Sequence, residues 1–211
     1  MGLTVKEVEY EQYEPCPAGT NVAICTGLVS LGVHENTFDP SKPPREKVAI
    51  FWTFPELLRK DGTPFMVREV YTCSLAKTQK GATAKLREML DSWRGIPFNP
   101  EELKSFNLTN VLAKPCLINI IHVPKDEKVY ANIVSVTSVV KGMNIPTLPE
   151  NFNLLHFDTD EPAWESFETL PQWVKDYIKK AVNWAEIEAQ MNELNSRPTV
   201  VEESPEEVLP F

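Results

Sequence analysis

Histidine and cysteine are scarce. Three histidines (His34, His122, His156) and four cysteines (Cys16, Cys25, Cys73, Cys116) are scattered over 211 residues. No CxxC pair or paired His/Cys spacing occurs, so neither a zinc site nor a disulfide framework is expected. The thiols read as buried or incidental. Long hydrophobic runs are missing too. Nothing approaches the ~18 apolar residues of a membrane span, and the opening MGLTVKEVEY lacks the apolar region of a signal peptide. A cytosolic protein without membrane contact is expected.

Catalytic motifs are equally absent. There is no GxxxxGKS or GxxxxGKT, no HExxH and no GxSxG, and Gly81-Ala82-Thr83-Ala84-Lys85 does not space its residues as a phosphate loop does. Asp158, Asp160 and Glu161 form an acidic loop without the ligand spacing of a metal cage. The expectation is a non-enzyme that needs no metal or cofactor. A metal-dependent nuclease is the rival that these acids keep in view.

The chain is long enough for one substantial core, or one core with a small appendage. Its charge is unevenly spread. The net charge is −9, but residues 150–211 carry −10, residues 1–14 carry −3 and residues 15–149 carry +4. A mildly basic body therefore lies between acidic ends, an asymmetry that itself suggests a charged partner.

The body reads as β. Residues 113–140 hold KPCLINIIHV and VYANIVSVTSVV around Pro124, Lys125 and Asp126, which is a hairpin signal. Earlier strands are expected at 19–33, 46–54 and 65–75. Gly27 lies inside the first and marks a bulge or tight bend. In the second, Val48, Ile50, Trp52 and Phe54 share one face, and Lys47, Ala49, Phe51 and Thr53 share the other. The first set reads as core, and the second puts an aromatic beside a lysine. Leu86, Met89, Leu90 and Trp93 make a helical stripe between the third and fourth strands. Asn99 and Pro100 open a second, short helix as N-cap and N1.

The fold class expected is mainly β with helices (α+β). The architecture is an OB-fold-like small β-barrel, closed or partly open, with a helix between strands 3 and 4 and a C-terminal helix. The organisation reads as an acidic N-terminal arm (1–14), the barrel domain (15–145), an extended segment laid on the body (146–171), the C-terminal helix (172–196) and a disordered acidic tail (197–211). The broad apolar stripe of the C-terminal helix permits packing on the body or on a second copy as a homodimer.

Single strands of nucleic acid are held by a positive groove with aromatic stacking platforms. The candidates of those types are Lys47, Phe51, Arg68, Tyr71, Lys77, Lys80, Lys85, Arg87, Arg94, Lys128 and Tyr130. In the tail, Glu202, Glu203, Glu206 and Glu207 precede Leu209, Pro210 and Phe211. That arrangement resembles the acidic, Pro-Phe tips of bacterial single-stranded DNA-binding proteins, which dock on replication and repair partners. A terminal aromatic fills a pocket and upstream acids steer the encounter. Here Glu stands in place of the usual Asp-rich run.

A broader resemblance spans about residues 15–180. Its matching pieces include Leu90, Ser92-Trp93-Arg94-Gly95, Pro97-Phe98, Glu102-Leu103, Asn107-Leu108 and Asn110-Val111-Leu112. Further along are Lys114-Pro115-Cys116, Tyr130-Ala131-Asn132-Ile133 and Leu170-Pro171-Gln172-Trp173. This pattern resembles a family of bacteriophage proteins from replication and recombination gene blocks that bind single-stranded DNA. The resemblance implies an OB-fold and single-stranded DNA as ligand, with replication or recombination proteins as partners of the tail. It implies the cytoplasm of a bacterial host cell as the compartment. It transfers no base-contacting residue. An OB-like adaptor that binds only protein is the alternative.

Overall fold

The computed structural model describes residues 14–37, 39–77, 81–126 and 128–196. Strands β1 (Gly19–His34), β2 (Arg45–Leu58), β3 (Pro64–Thr72), β4 (Pro115–Lys125) and β5 (Lys128–Thr137) form one sheet in the order β3-β2-β1-β4-β5. All four pairings along that path are antiparallel. A short β6 (Leu155–Phe157) adds a parallel pairing to β1 at Gly27–Val29, beyond the stretch that β4 occupies. The fold is thus mainly antiparallel β with a few helices. The sheet is open, because among the described residues no pairing joins β3 to β5.

The expected bulge in β1 is present, with a register shift between Cys25 and Gly27. Close approach favours glycine at position 27. A Cβ there would stand 3.0 Å from both the Phe51 ring and Leu155 Cβ. At the β4–β5 tip, Lys125 pairs with Lys128 and Asp126 takes φ 48. Such a tight reversal needs left-handed backbone, which Asp tolerates.

Helix α1 (Lys85–Arg94) follows β3 and buries Leu86, Met89, Leu90 and Trp93. These pack on the β2 face bearing Val48, Ile50, Trp52 and Phe54, together with Phe65, Tyr71, Cys116, Ile118, Ile120 and Val136. The short helix expected after Asn99 is only a turn. Asn99 Oδ1 still accepts from the N–H groups of Glu101 and Glu102 as a cap would. Only one backbone bond of helical span follows, from Leu103 to Asn99, and a 3-10 turn occurs later at Leu108–Val111.

The 146–171 segment carries β6 and α2 (Trp164–Glu168), so it is not purely extended. The single helix expected over 172–196 is two helices, α3 (Gln172–Ile178) and α4 (Trp184–Ser196). The break between them is anchored to β1. Val182 N–H donates to Val33 O at 2.7 Å, and Asn183 Oδ1 accepts from Val33 N–H at 2.8 Å. Those groups satisfy the strand end, so the helix cannot run through. Gly32 makes the docking possible, with φ +78 and Ala181 Cβ 2.7 Å from where its own Cβ would lie.

Helices α2, α3 and α4 cover the second face of the sheet. Val29, Leu31, Ala49 and Phe51 meet Phe157, Phe167, Leu170, Val174, Ile178, Ile187 and Met191 there. Cys16, Cys25 and Cys116 are buried and Cys73 is exposed, all as free thiols. Burial pushes the Cys25 thiol up to about 12, which leaves it inert near neutrality. Among the described residues no helix is long and apolar enough to cross a membrane.

Candidate nucleic-acid interface

Four successive antiparallel pairings make the two edge strands, β3 and β5, run the same way. They face one another across a cleft of about 370 Å³ lined by Arg59, Phe65, Met66, Val67, Arg68 and Glu69 on one side and Ala131, Asn132 and Ile133 on the other. Glu14 and Cys16 line it as well. Among the described residues each edge leaves backbone N–H and C=O groups without a ladder partner, a surface suited to an extended ligand.

Two arginines in this cleft lie over aromatic rings. The Arg59 guanidinium is 4.8 Å from the Phe65 ring centroid. The Arg68 guanidinium is 3.7 Å from the Trp173 ring centroid. Trp173 belongs to α3 and in turn lies 6.0 Å from the Phe51 ring. Contacts of this kind hold a flat cation in a fixed plane. The carboxylates of Glu14 and Glu69 moderate the positive charge. Glu69 is itself engaged, accepting from the Tyr71 hydroxyl at 3.0 Å.

The candidates named from sequence divide clearly. Arg68 is exposed and lies in the cleft. Tyr130, 44% exposed, and Lys128 lie on β5, and Tyr130 shares its face with Asn132 through the alternation of the strand. Lys77 and Lys85 are exposed beyond the end of β3 and at the start of α1. They stand apart from Lys125 and Lys128. Helix α1 joins the far end of β5, where Ser138 N–H donates to Ser92 O, and ten strand residues separate that end from the hairpin tip by about 30 Å. Lys77 thus follows the end of β3 and Lys125 and Lys128 stand at the opposite end of the sheet, with Arg68 on β3 between the two ends.

Four candidates serve the fold instead. Phe51 is 0% exposed and belongs to the core under α2–α4. The aromatic face of β2 expected to meet ligand is therefore covered by protein. Tyr71 is buried in the α1-side core, and burial with the neighbouring Glu69 charge drives its hydroxyl pKa well up. Arg87 donates to Leu75 O at 3.3 Å and pairs with Asp91 at 3.6 Å. Arg94 pairs with Glu102 and stacks 4.2 Å over Phe98. Lys47 is intermediate, donating to the Tyr177 hydroxyl at 3.1 Å and lying 5.7 Å from that ring. Lys80 and the tail residues Glu202, Glu203, Glu206, Glu207, Leu209, Pro210 and Phe211 lie outside the described residues, as does the arm before Glu14.

Sequence reasoning missed Arg59 and Trp173 as site residues, and Asn132 stands out in the sequence only as a polar side chain among apolar neighbours of its strand. Arg59 carried no local signal, since its role depends on the two edges facing each other. Trp173 had one, a bulky aromatic early in the C-terminal helix, but the stripe reads as packing. Among the described residues no group of three or more His, Cys, Asp or Glu side chains could hold a metal ion. A second hollow of about 280 Å³, lined by Trp93, Arg94, Phe106, Val111, Lys114 and Pro115 among others, opens beside α1. No protein-family model and no curated protein matches the sequence.

Proposed function

We propose that this protein binds single-stranded DNA along the β3–β5 cleft without strong sequence preference, as a non-enzymatic component of phage DNA replication or recombination. The observation that carries the reading is the pair of ring-backed arginines, Arg59 and Arg68, in a cleft between two unpaired strand edges. A flat cation offers stacking area to a base and charge to a phosphate, the two contacts that non-specific single-strand binding combines. Lys77 and Lys85 at one end and Lys125 and Lys128 at the other extend the electrostatic track. Five antiparallel strands, a helix between the third and fourth, and edges facing across one cleft support a partly open OB barrel. The acidic segment ending in Leu209-Pro210-Phe211 would recruit partner proteins, with host cytoplasm as the setting.

The test is fluorescence anisotropy of a labelled oligo-dT and a matched duplex at two salt concentrations, using the full chain and a form ending at Arg197. Single-strand preference that weakens steeply with salt is expected, with undiminished binding by the shorter form. Equal affinity at both salts, or no binding, would sink the reading. A protein-binding adaptor is the second reading. It is favoured by Ile121, Val129 and Val134 of the hairpin, which are 46%, 41% and 55% exposed. Partner capture without oligonucleotide binding would select it.

A further inference from the structure

We propose that Trp173 of helix α3 is a positioning residue of the cleft. It holds the Arg68 guanidinium flat as a platform on which a nucleobase stacks, so the C-terminal helical segment is part of the binding site. The inference rests on the single-strand reading above and names how one base is held.

Arg68 stands directly opposite Phe51 in the β2–β3 ladder, so both project from the face that α3 covers. Phe51 is fully buried and fixes one side of the Trp173 ring, at a tilt of 43°. Val174 and Ile178, both 0% exposed, lock α3 to the sheet. The backbone that carries the indole is therefore fixed against the sheet. Arg68 lies across the indole at 3.7 Å and yet is exposed and lines the cleft. The guanidinium thus has the indole against it and is still exposed in the cleft.

A free arginine on an edge strand would sweep many rotamers, and ordering it on binding costs affinity. Backed by a ring carried on that fixed backbone, the plane is already in place. Bases stack on guanidinium planes as they do on aromatic side chains. Asn132 on the facing strand lines the same space and offers an amide. The same construction recurs at Arg59 on Phe65, but there both partners come from the body. Of these two arginines, Arg68 is the one whose backing ring comes from the C-terminal helices.

The experiment compares oligo-dT with an abasic oligonucleotide of the same length, which has the phosphates but nothing to stack. Full-length wild type is measured beside Trp173→Leu, Trp173→Phe and Arg68→Lys, with thermal melting to establish folding. Arg68→Lys keeps the charge on an exposed position and removes the plane, so it decides the matter even if Trp173→Leu fails to fold. Trp173→Leu and Arg68→Lys are expected to weaken oligo-dT binding by about tenfold, the worth of one stacked base. Affinity for the abasic strand and the salt dependence should stay as in wild type, and Trp173→Phe should retain most of the oligo-dT affinity. Wild-type affinity for oligo-dT in Arg68→Lys, or an equal loss on both strands, overturns the proposal while leaving DNA binding intact. If wild type itself ignores oligo-dT, the single-strand reading falls and this inference with it.

Discussion

On one face of β2, Val48, Ile50, Trp52 and Phe54 meet α1 and the strands next to it in sequence. On the other, Ala49 and Phe51 meet helices that arrive from far down the chain, as the bond between Lys47 and Tyr177 across 130 residues illustrates. Both faces are dry, yet they differ in what holds them. The first is a continuous core filled from α1 and the neighbouring strands, with Arg59 on Phe65 and Arg94 on Phe98 at its margin. The second is apolar at its centre and ringed by cation–aromatic contacts, Lys47 on Tyr177 and Arg68 on Trp173. The local cover adjoins the strands that precede and follow it in the chain, whereas the distant cover depends on contacts across more than a hundred residues. Both border the open cleft, the first through Phe65, Val67, Ala131 and Ile133 and the second through Trp173 beside Arg68.

The sharpest way to break this comparison is a pair of neighbouring truncations. Phe51→Ala and Trp52→Ala point to opposite faces, and each side chain is fully buried. Each should lower stability by about 3–5 kcal/mol in denaturant titrations. A Phe51→Ala protein with unchanged stability would mean that the second face is not a core, and Phe51 would return as a ligand-facing ring.

The joint between the cover and the sheet is tested at Gly32, where positive φ coincides with close approach of Ala181 and Asn183. Gly32→Ala should cost about 1–3 kcal/mol from the backbone conformation, and more from the displaced turn. Gly142 has a similar φ of +85 with nothing within 4 Å. Gly142→Ala therefore reports the backbone share alone. Equal melting shifts for the two variants would show that the turn at 179–183 gives way freely.

The smallest effect is expected at His34, whose ring lies 4.5 Å from Tyr177 under the same cover. Its Nε2 bonds Leu31 O at 2.8 Å. Burial pulls its pKa below the ordinary 6.5, with the Lys47 charge adding to this and the Leu31 carbonyl opposing it. The unfolded chain then binds more protons than the folded one between the two pKa values. Stability from this group should be complete above pH 6.5 and decline as pH falls through the folded pKa. His34→Gln should flatten that part of the stability profile. An unchanged profile would show that His34 does not set that slope; Glu46, whose burial and acidic neighbours Asp160 and Asp158 raise its pKa, acts in the opposite sense and favours the fold as pH falls.

Much of the fold was legible because its signals are local. Alternation in 46–54 sorted the two faces of β2, the spacing of Leu86, Met89, Leu90 and Trp93 gave α1, and two β-branched runs about Pro124–Asp126 gave the hairpin. The site was less legible. A lysine beside an aromatic reads the same whether the surface meets DNA or a helix, so Phe51 and Tyr71 were drawn into the candidate set. Arg87 and Arg94 had the right charge, but Asp91 and Glu102 already engage it. Arg68 remains a candidate because its partner is a ring rather than a carboxylate, and its side chain stays exposed in the cleft.

The sequence by itself determined which residues alternate, where the chain turns and which stripe of α1 is apolar, since those follow from backbone periodicity and side-chain type. Only the tertiary structure decided that β3 and β5 face each other as unpaired edges. It alone decided that a strand end at Val33 interrupts the C-terminal helix and that Trp173 comes to lie beneath Arg68. Each of these depends on contacts between segments far apart in sequence. Their geometry is set by how the whole chain closes on itself, which no local pattern encodes.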